Sequence, residues 1–300
     1  MCLVAFFIAY FVYYAPYYAL YPDLVPYEVR GRSQGFQGAL RSAGLLLAMG
    51  TGGLMLSAWQ ELPFVASAAV VLAVTLALFS QLRGNSALHG HQVATARGFA
   101  GTLEFVRGSV AVRRWAVANA CWEAAIGSLR TFVVLYFTVG LGLSLLETSA
   151  ALALVGVGAL IAAPVAGALA DHYGPRPVMN VAVWVFTVGL LPPLFTTDTV
   201  YVAAIVPVAF AAVVLMTLPY VMLMTLLPAQ SRAHGAAAGL FGLSRGVGVL
   251  VGPLLAGLAI EVMRSFDVLT LADSKGYSSI FAVSAALLLA SLPFLRNLDI

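Results

Sequence analysis

Charge is what this chain has least of. Asp, Glu, Lys and Arg make up 9% of its 300 residues, against roughly 25% in a soluble domain. A single lysine, Lys275, is present, which removes any lysine-rich footprint for nucleic acid. The two cysteines, Cys2 and Cys121, lie far apart in apolar runs, so neither a disulfide framework nor a thiolate metal site is expected. No Gly-x4-Gly-Lys-Ser/Thr loop occurs, so the chain is not expected to hydrolyse nucleotide itself. The four histidines, His89, His91, His172 and His234, fall in polar turns without metal-ligand spacing, and no metal or cofactor is expected. "GLSRG" at residues 242–246 fits a nucleophile-elbow pattern, but it sits inside an apolar helical run where no strand-to-helix turn exists. The start "MCLVAFFIAYFVYYAP" has neither a basic n-region nor a small-residue cleavage pattern, and it reads as a retained helix.

What the chain does have is apolar surface: 62% of residues are hydrophobic, with a mean hydropathy of +0.98. That composition fits a polytopic integral membrane protein. A bilayer core of about 30 Å requires about 20 apolar residues per helix. Nine segments meet this: 3–22, 34–57, 64–83, 115–140, 146–170, 177–196, 200–226, 236–262 and 278–295. No alternating barrel pattern is present, and backbone groups in lipid must pair internally, so the fold class is an all-α membrane helix bundle. With the 22–34 turn in the cytoplasm, ten arginines fall inside and only Arg264 and Lys275 outside, which also places the C-terminus inside. The polar stretch 84–114 reads as a cytoplasmic linker, with residues 99–106 able to lie on the membrane surface. It divides a three-helix N-terminal part, 1–83, from a six-helix C-terminal part, 115–300.

The two parts share an internal repeat. At an offset of 202 residues Pro26 meets Pro228, Arg30 meets Arg232, Ser42 meets Ser244, Gly44 meets Gly246 and Gly50 meets Gly252. One residue of slippage pairs Pro16-Tyr17 with Pro219-Tyr220. Transporters are often built from parallel repeats of a bundle. By this repeat three helices before the first segment are missing from a six-plus-six plan.

The stretch "GALADHYGPRP", residues 167–177, puts an aspartate, a histidine and an arginine between two apolar runs. It resembles the cytoplasmic hairpin signature of the major facilitator superfamily through Gly167, Leu169, Ala170, Asp171, Gly174 and Arg176, and departs at His172 and Pro175, where that family has basic residues. The resemblance covers family helices four to twelve. It implies that Asp171 latches one half of the molecule to the other, with the start of the second predicted helix near Arg30, Arg32 and Ser33 as receiver and Arg232 in the equivalent turn of the repeat. Gly167 suits close helix approach and Gly174 a tight turn. "PYYALYPDLVP" and "LPYVMLMTLLP" further resemble the sucrose/glycoside–cation symporter branch. "GPLLAG" at residues 252–257 is close to an antiporter signature of the family, but its first-half counterpart has no proline.

Four ionisable residues fall deep in the predicted spans: Arg41, Glu123, Arg130 and Arg245. Each costs about 2.5–3.5 kcal/mol at a helix centre on insertion scales, so such groups face a cavity or a partner. Asn119, Glu123 and Arg130 share one helix face, and Glu123 is the candidate proton or substrate-charge site with Arg245 or Arg41 as counter-ion. A static interhelical ion pair is the competing reading. Tyr10, Tyr14, Tyr17 and Tyr21 form an aromatic stripe, with Tyr14 and Tyr17 as candidate solute contacts; packing explains it equally well.

The expected function is secondary active transport of a small solute, sugar or drug-like, coupled to a proton or sodium, in the plasma (inner) membrane. The alternative is a transport-incompetent remnant of such a transporter. No enzymatic motif and no nucleic-acid partner is expected.

Overall fold

The structure, a computed structural model, describes residues 18, 24–83, 103–104, 106–197, 205–227, 234–266 and 268–298. Every regular element among them is helical. In chain order they are α1 (Arg30–Ala58), α2 (Leu62–Leu82), α3 (Val110–Leu135), α4 (Leu145–Tyr173), α5 (Pro175–Gly189), α6 (Pro192–Phe195), α7 (Ile205–Thr217), α8 (Pro219–Thr225), α9 (His234–Met263) and α10 (Ser279–Arg296). A 3-10 turn, Tyr27–Val29, leads into α1, and a π-helical turn, Tyr136–Gly140, continues α3.

Six helices among the described residues are long and apolar enough to cross a bilayer, and α7 with α8 makes a seventh if that pair, bent by 42°, counts as one span. The nine expected segments differ from these for identifiable reasons. Segment 3–22 lies outside the described residues apart from Tyr18. Segment 34–57 is α1, which is 29 residues long but carries Arg30, Arg32, Gln34, Gln37 and Arg41 in its first half. Segment 200–226 breaks at Leu218 because Pro219 begins a new helix and has no N–H to continue the old one. α3 starts at Val110, five residues before the expected 115, because Ser109 caps it by accepting the Val112 N–H at 3.3 Å.

Small residues set the close helix crossings. α1 packs most extensively on α4, and α3 on α9. A Cβ at Gly31 would overlap Oδ1 of Asp171, one at Gly35 would meet the Ala163 carbonyl, and one at Gly167 would overlap the Gly31 carbonyl. The second crossing repeats the device. A Cβ at Gly248 would strike Ala120 and Glu123, and one at Gly252 would overlap the Ala124 backbone. Without a hydrophobic drive between helices in lipid, such backbone approach supplies the packing.

Several buried polar groups are paired across helices. The Trp122 indole donates to Ser291 Oγ at 2.9 Å, and the Ser284 hydroxyl to the Ala125 carbonyl at 3.1 Å. Large side chains with no exposure, among them Trp115, Trp122, Tyr136 and Met179, fill the bundle around α3. α2 is the opposite case: its apolar length is exposed along nearly its whole surface, as a lipid-facing helix requires.

One end of the bundle is tied by charged groups. Arg176 at the start of α5 donates to the Arg296 carbonyl at the end of α10, and Arg114 near the start of α3 donates to the Asn297 carbonyl at 2.7 Å. The start of α1 and the end of α4 meet at this same end.

Candidate functional site

At that end, Asp171 sits in the last turn of α4 and faces the first turn of α1. Its Oδ1 accepts the Gly31 N–H at 2.7 Å and its Oδ2 the Arg32 N–H at 2.8 Å. These are among the backbone donors a helix start leaves without intrahelical partners, and a carboxylate there also meets the positive end of the helix dipole. No side chain of α1's own caps it, so Asp171 performs from another helix the task an N-cap residue normally performs locally. The Arg32 guanidinium lies farther off, Nε to Oδ2 at 3.8 Å, and its side chain is 72% exposed, so the backbone donors carry the contact.

The glycines make this approach possible. Gly31 and Gly167 let the two backbones close until the carboxylate reaches both N–H groups. Gly174 has φ +85°, a conformation that favours glycine, and turns the chain directly from α4 into α5, whose first residue is Pro175. Arg176 turns toward α10 and not toward Asp171.

A second charged constellation lies in mid-helix. Glu123, the fourteenth residue of α3, pairs with Arg245, the twelfth of α9, Oε1 to Nε at 3.4 Å. The Glu123 side chain is 10% exposed and that of Arg245 23%, so the pair is open on the arginine side. One turn before Glu123, Asn119 is fully buried and donates through Nδ2 to Ser244 Oγ at 2.8 Å, while its Oδ1 has no partner among the described residues. Arg130, further along the same face of α3, and Arg41, the twelfth residue of α1, both lie within electrostatic reach of Glu123. The structure thus brings Glu123, Asn119, Arg245, Arg130 and Arg41 around one region. Tyr14, Tyr17 and Arg232 lie outside the described residues.

Between the two constellations stands an aromatic cluster that the sequence did not single out. The Tyr18 and Tyr220 rings meet at 5.1 Å and 81°, and Phe241 lies 5.1 Å from each. The Tyr220 hydroxyl donates to the Tyr18 carbonyl at 2.5 Å, and the Trp115 indole to the Pro219 carbonyl at 3.1 Å. Phe241 precedes Arg245 by one turn of α9, so the cluster fills the interior between the tied end and the ion pair.

Among the described residues, then, a carboxylate of α4 caps α1 at one end, aromatic rings pack behind it and charged side chains stand at mid-depth of a membrane helix bundle. A family profile described as "Major Facilitator Superfamily" matches residues 124–299, more than half of the sequence, and the chain belongs to that family of secondary transporters. The fold is similar to the crystal structure of the E. coli fucose:proton symporter FucP, with a TM-score of 0.69 at 12% identity, over 96% of this chain and 73% of that one. A search of curated protein sequences finds no match.

Proposed function

We propose that this chain carries a small solute across the bilayer by alternating access, and that the grip of Asp171 on the Gly31 and Arg32 N–H groups is the latch that holds one end shut. That contact carries the reading because a charged carboxylate of α4 there fills the open donors at the start of α1. Charge-assisted hydrogen bonds are worth about 1.5–3 kcal/mol each. Two of them bias a two-state equilibrium strongly without locking it.

In this reading the aromatic cluster around Tyr220 is the seal behind the latch. Glu123 and Arg245 then form the coupling pair at the centre. When the pair is closed, each charge satisfies the other. When a proton or a solute charge takes the place of one partner, the other is released to act. Coupling to a proton is favoured by a carboxylate buried beside an arginine, the two features that pull its proton affinity in opposite directions. The likeness to a fucose:proton symporter fits this assignment without selecting the solute. In the same reading the membrane is the plasma (inner) membrane, and the latched end and the C-terminus face the cytoplasm, an orientation the arginine bias favours.

The test is uptake into proteoliposomes together with alkylation of single cysteines placed on either side of the Tyr220 seal. Asp171→Ala should raise labelling from the latched end severalfold and slow net uptake. Unchanged labelling from both ends would remove the latch.

A further inference from the structure

The mid-depth charges do not balance. Three arginines, Arg41, Arg130 and Arg245, act electrostatically on one carboxylate, Glu123. Among the described residues the only ion pair in the group is Glu123 with Arg245, so Arg41 and Arg130 stand without an acidic partner there. Among the described residues no second carboxylate lies at this depth. The other acidic side chains, such as Glu28, Glu61, Glu147, Asp171 and Glu261, sit at helix ends or in turns.

The placement of these arginines shows where they face. Arg41 belongs to α1, Arg130 to α3 and Arg245 to α9, so they come from both parts of the chain. Arg41 and Arg130 are exposed, yet both feel Glu123, and Arg130 feels Arg245 and Arg41 as well. A guanidinium in mid-membrane does not face lipid. Arg41 and Arg245 lie about 16 Å from the latched ends of their helices and Arg130 about 30 Å, at 1.5 Å per residue. The positive groups thus start at mid-depth and continue toward the end opposite the latch.

From this arrangement we infer that the solute is a small organic anion, held through its carboxylate or phosphate group by the forked donors of Arg41, Arg130 and Arg245. This rests on the transporter reading above and specifies its cargo. Guanidinium forks match carboxylate and phosphate in geometry, and in a site of low dielectric an anion supplies the charge the arginines lack. Glu123 pairs with Arg245, and an arriving anion competes with it for that arginine. The unpartnered Oδ1 of buried Asn119 beside Glu123 is an acceptor left for a hydroxyl or for the proton of a neutralised carboxyl.

The sign of the potential can be read without knowing the solute. Gly44 lies three residues after Arg41 on the same side of α1, is exposed, and a Cβ there meets nothing within 4 Å. In a chain with Cys2 and Cys121 changed to Ala, Gly44→Cys is labelled in proteoliposomes with an anionic sulfonatoethyl and a cationic trimethylammonioethyl thiosulfonate. The rates are compared with those of a free thiol. Anion preference of about tenfold or more is expected, since each unscreened charge within a few ångströms to a nanometre contributes on the kcal/mol scale. Arg41→Gln and Arg130→Gln should each reduce it severalfold, and Arg130→Lys should restore it. Thermal unfolding of each variant confirms that it is folded. Inorganic phosphate and succinate, tested as competitors of the labelling, separate phosphate from carboxylate preference. Equal or cation-favouring rates with a working Asp171 latch would overturn the anion assignment and leave the transporter reading standing. A thiol that neither reagent reaches would overturn both.

Discussion

The hydroxyl of Tyr220 donates to the main-chain carbonyl of Tyr18 at 2.5 Å, and the two residues lie 202 positions apart. The contact ties together two residues distant in the sequence, with the rings edge to face at 81° and Phe241 against both.

Tyr220→Phe keeps the ring and removes the bond. A neutral hydrogen bond contributes about 0.5–1.5 kcal/mol net, which corresponds to roughly two- to tenfold in an opening equilibrium. Cysteine labelling from the latched end should rise by that factor, while thermal stability changes little. Tyr220→Ala, which removes the fully buried ring, should lower the unfolding temperature as well.

Asp171→Asn tests what the carboxylate does beyond filling space. The amide can accept only one of the two backbone N–H bonds through its single oxygen and carries no charge for the helix start. Opening at the latched end should increase by about tenfold or more. Asp171→Glu adds a methylene at a site where a Cβ on Gly31 would already overlap Oδ1, so it should not restore the latch. Rates of labelling from that end read both outcomes.

The central pair calls for a double-mutant cycle. Arg245→Gln alone leaves Glu123 buried among α3 and α9 without its partner, a change that costs about 3–5 kcal/mol when the buried charge persists. Adding Glu123→Gln removes that charge and should recover much of the lost stability in detergent. Uptake by Glu123→Gln should lose its dependence on pH if the carboxyl carries the coupled proton. A pH profile of uptake unchanged from the parent would assign the pair to structure alone.

The fold class was legible because lipid leaves few solutions. A chain this apolar must pair its backbone internally, and hydropathy windows then give helices directly. The break at Leu218 was less so, since Pro219 is visible in the sequence but the bend of 42° depends on what packs around it. The contact of Asp171 with the start of α1 has a local signature: a carboxylate one turn after Gly167 at a helix end. The sequence cannot say which donors it reaches, because backbone N–H groups carry no letter of their own. Glu123 had two candidate partners, and only the crossing of α3 on α9 at Gly248 separates Arg245 from Arg41. Nothing in the sequence points to Tyr18, because the local repeat matches Tyr17 and not Tyr18 to Tyr220.

The glycines of α9 divide into two kinds, which gives a test of the packing that positions the central pair. A Cβ at Gly252 would overlap the carbonyl and Cα of Ala124, and one at Gly248 would press on Glu123 Cβ and the Ala124 nitrogen. A Cβ at Gly246, two residues away, meets nothing within 4 Å. Gly252→Ala must therefore push α9 off α3, because main-chain atoms cannot give way as a side-chain tip can. Overpacking of this kind costs about 1–3 kcal/mol or more. Gly246→Ala should be neutral or slightly stabilising, since alanine favours the helix by up to about 1 kcal/mol over glycine. Unfolding temperatures in detergent should rank Gly246→Ala at or above the parent and Gly252→Ala well below it. Because Gly252 lies two turns beyond Arg245 on the same helix, its substitution should also weaken the Glu123–Arg245 contact. Gly252→Ala should then share the altered pH profile of uptake expected for Glu123→Gln, whereas Gly246→Ala should not.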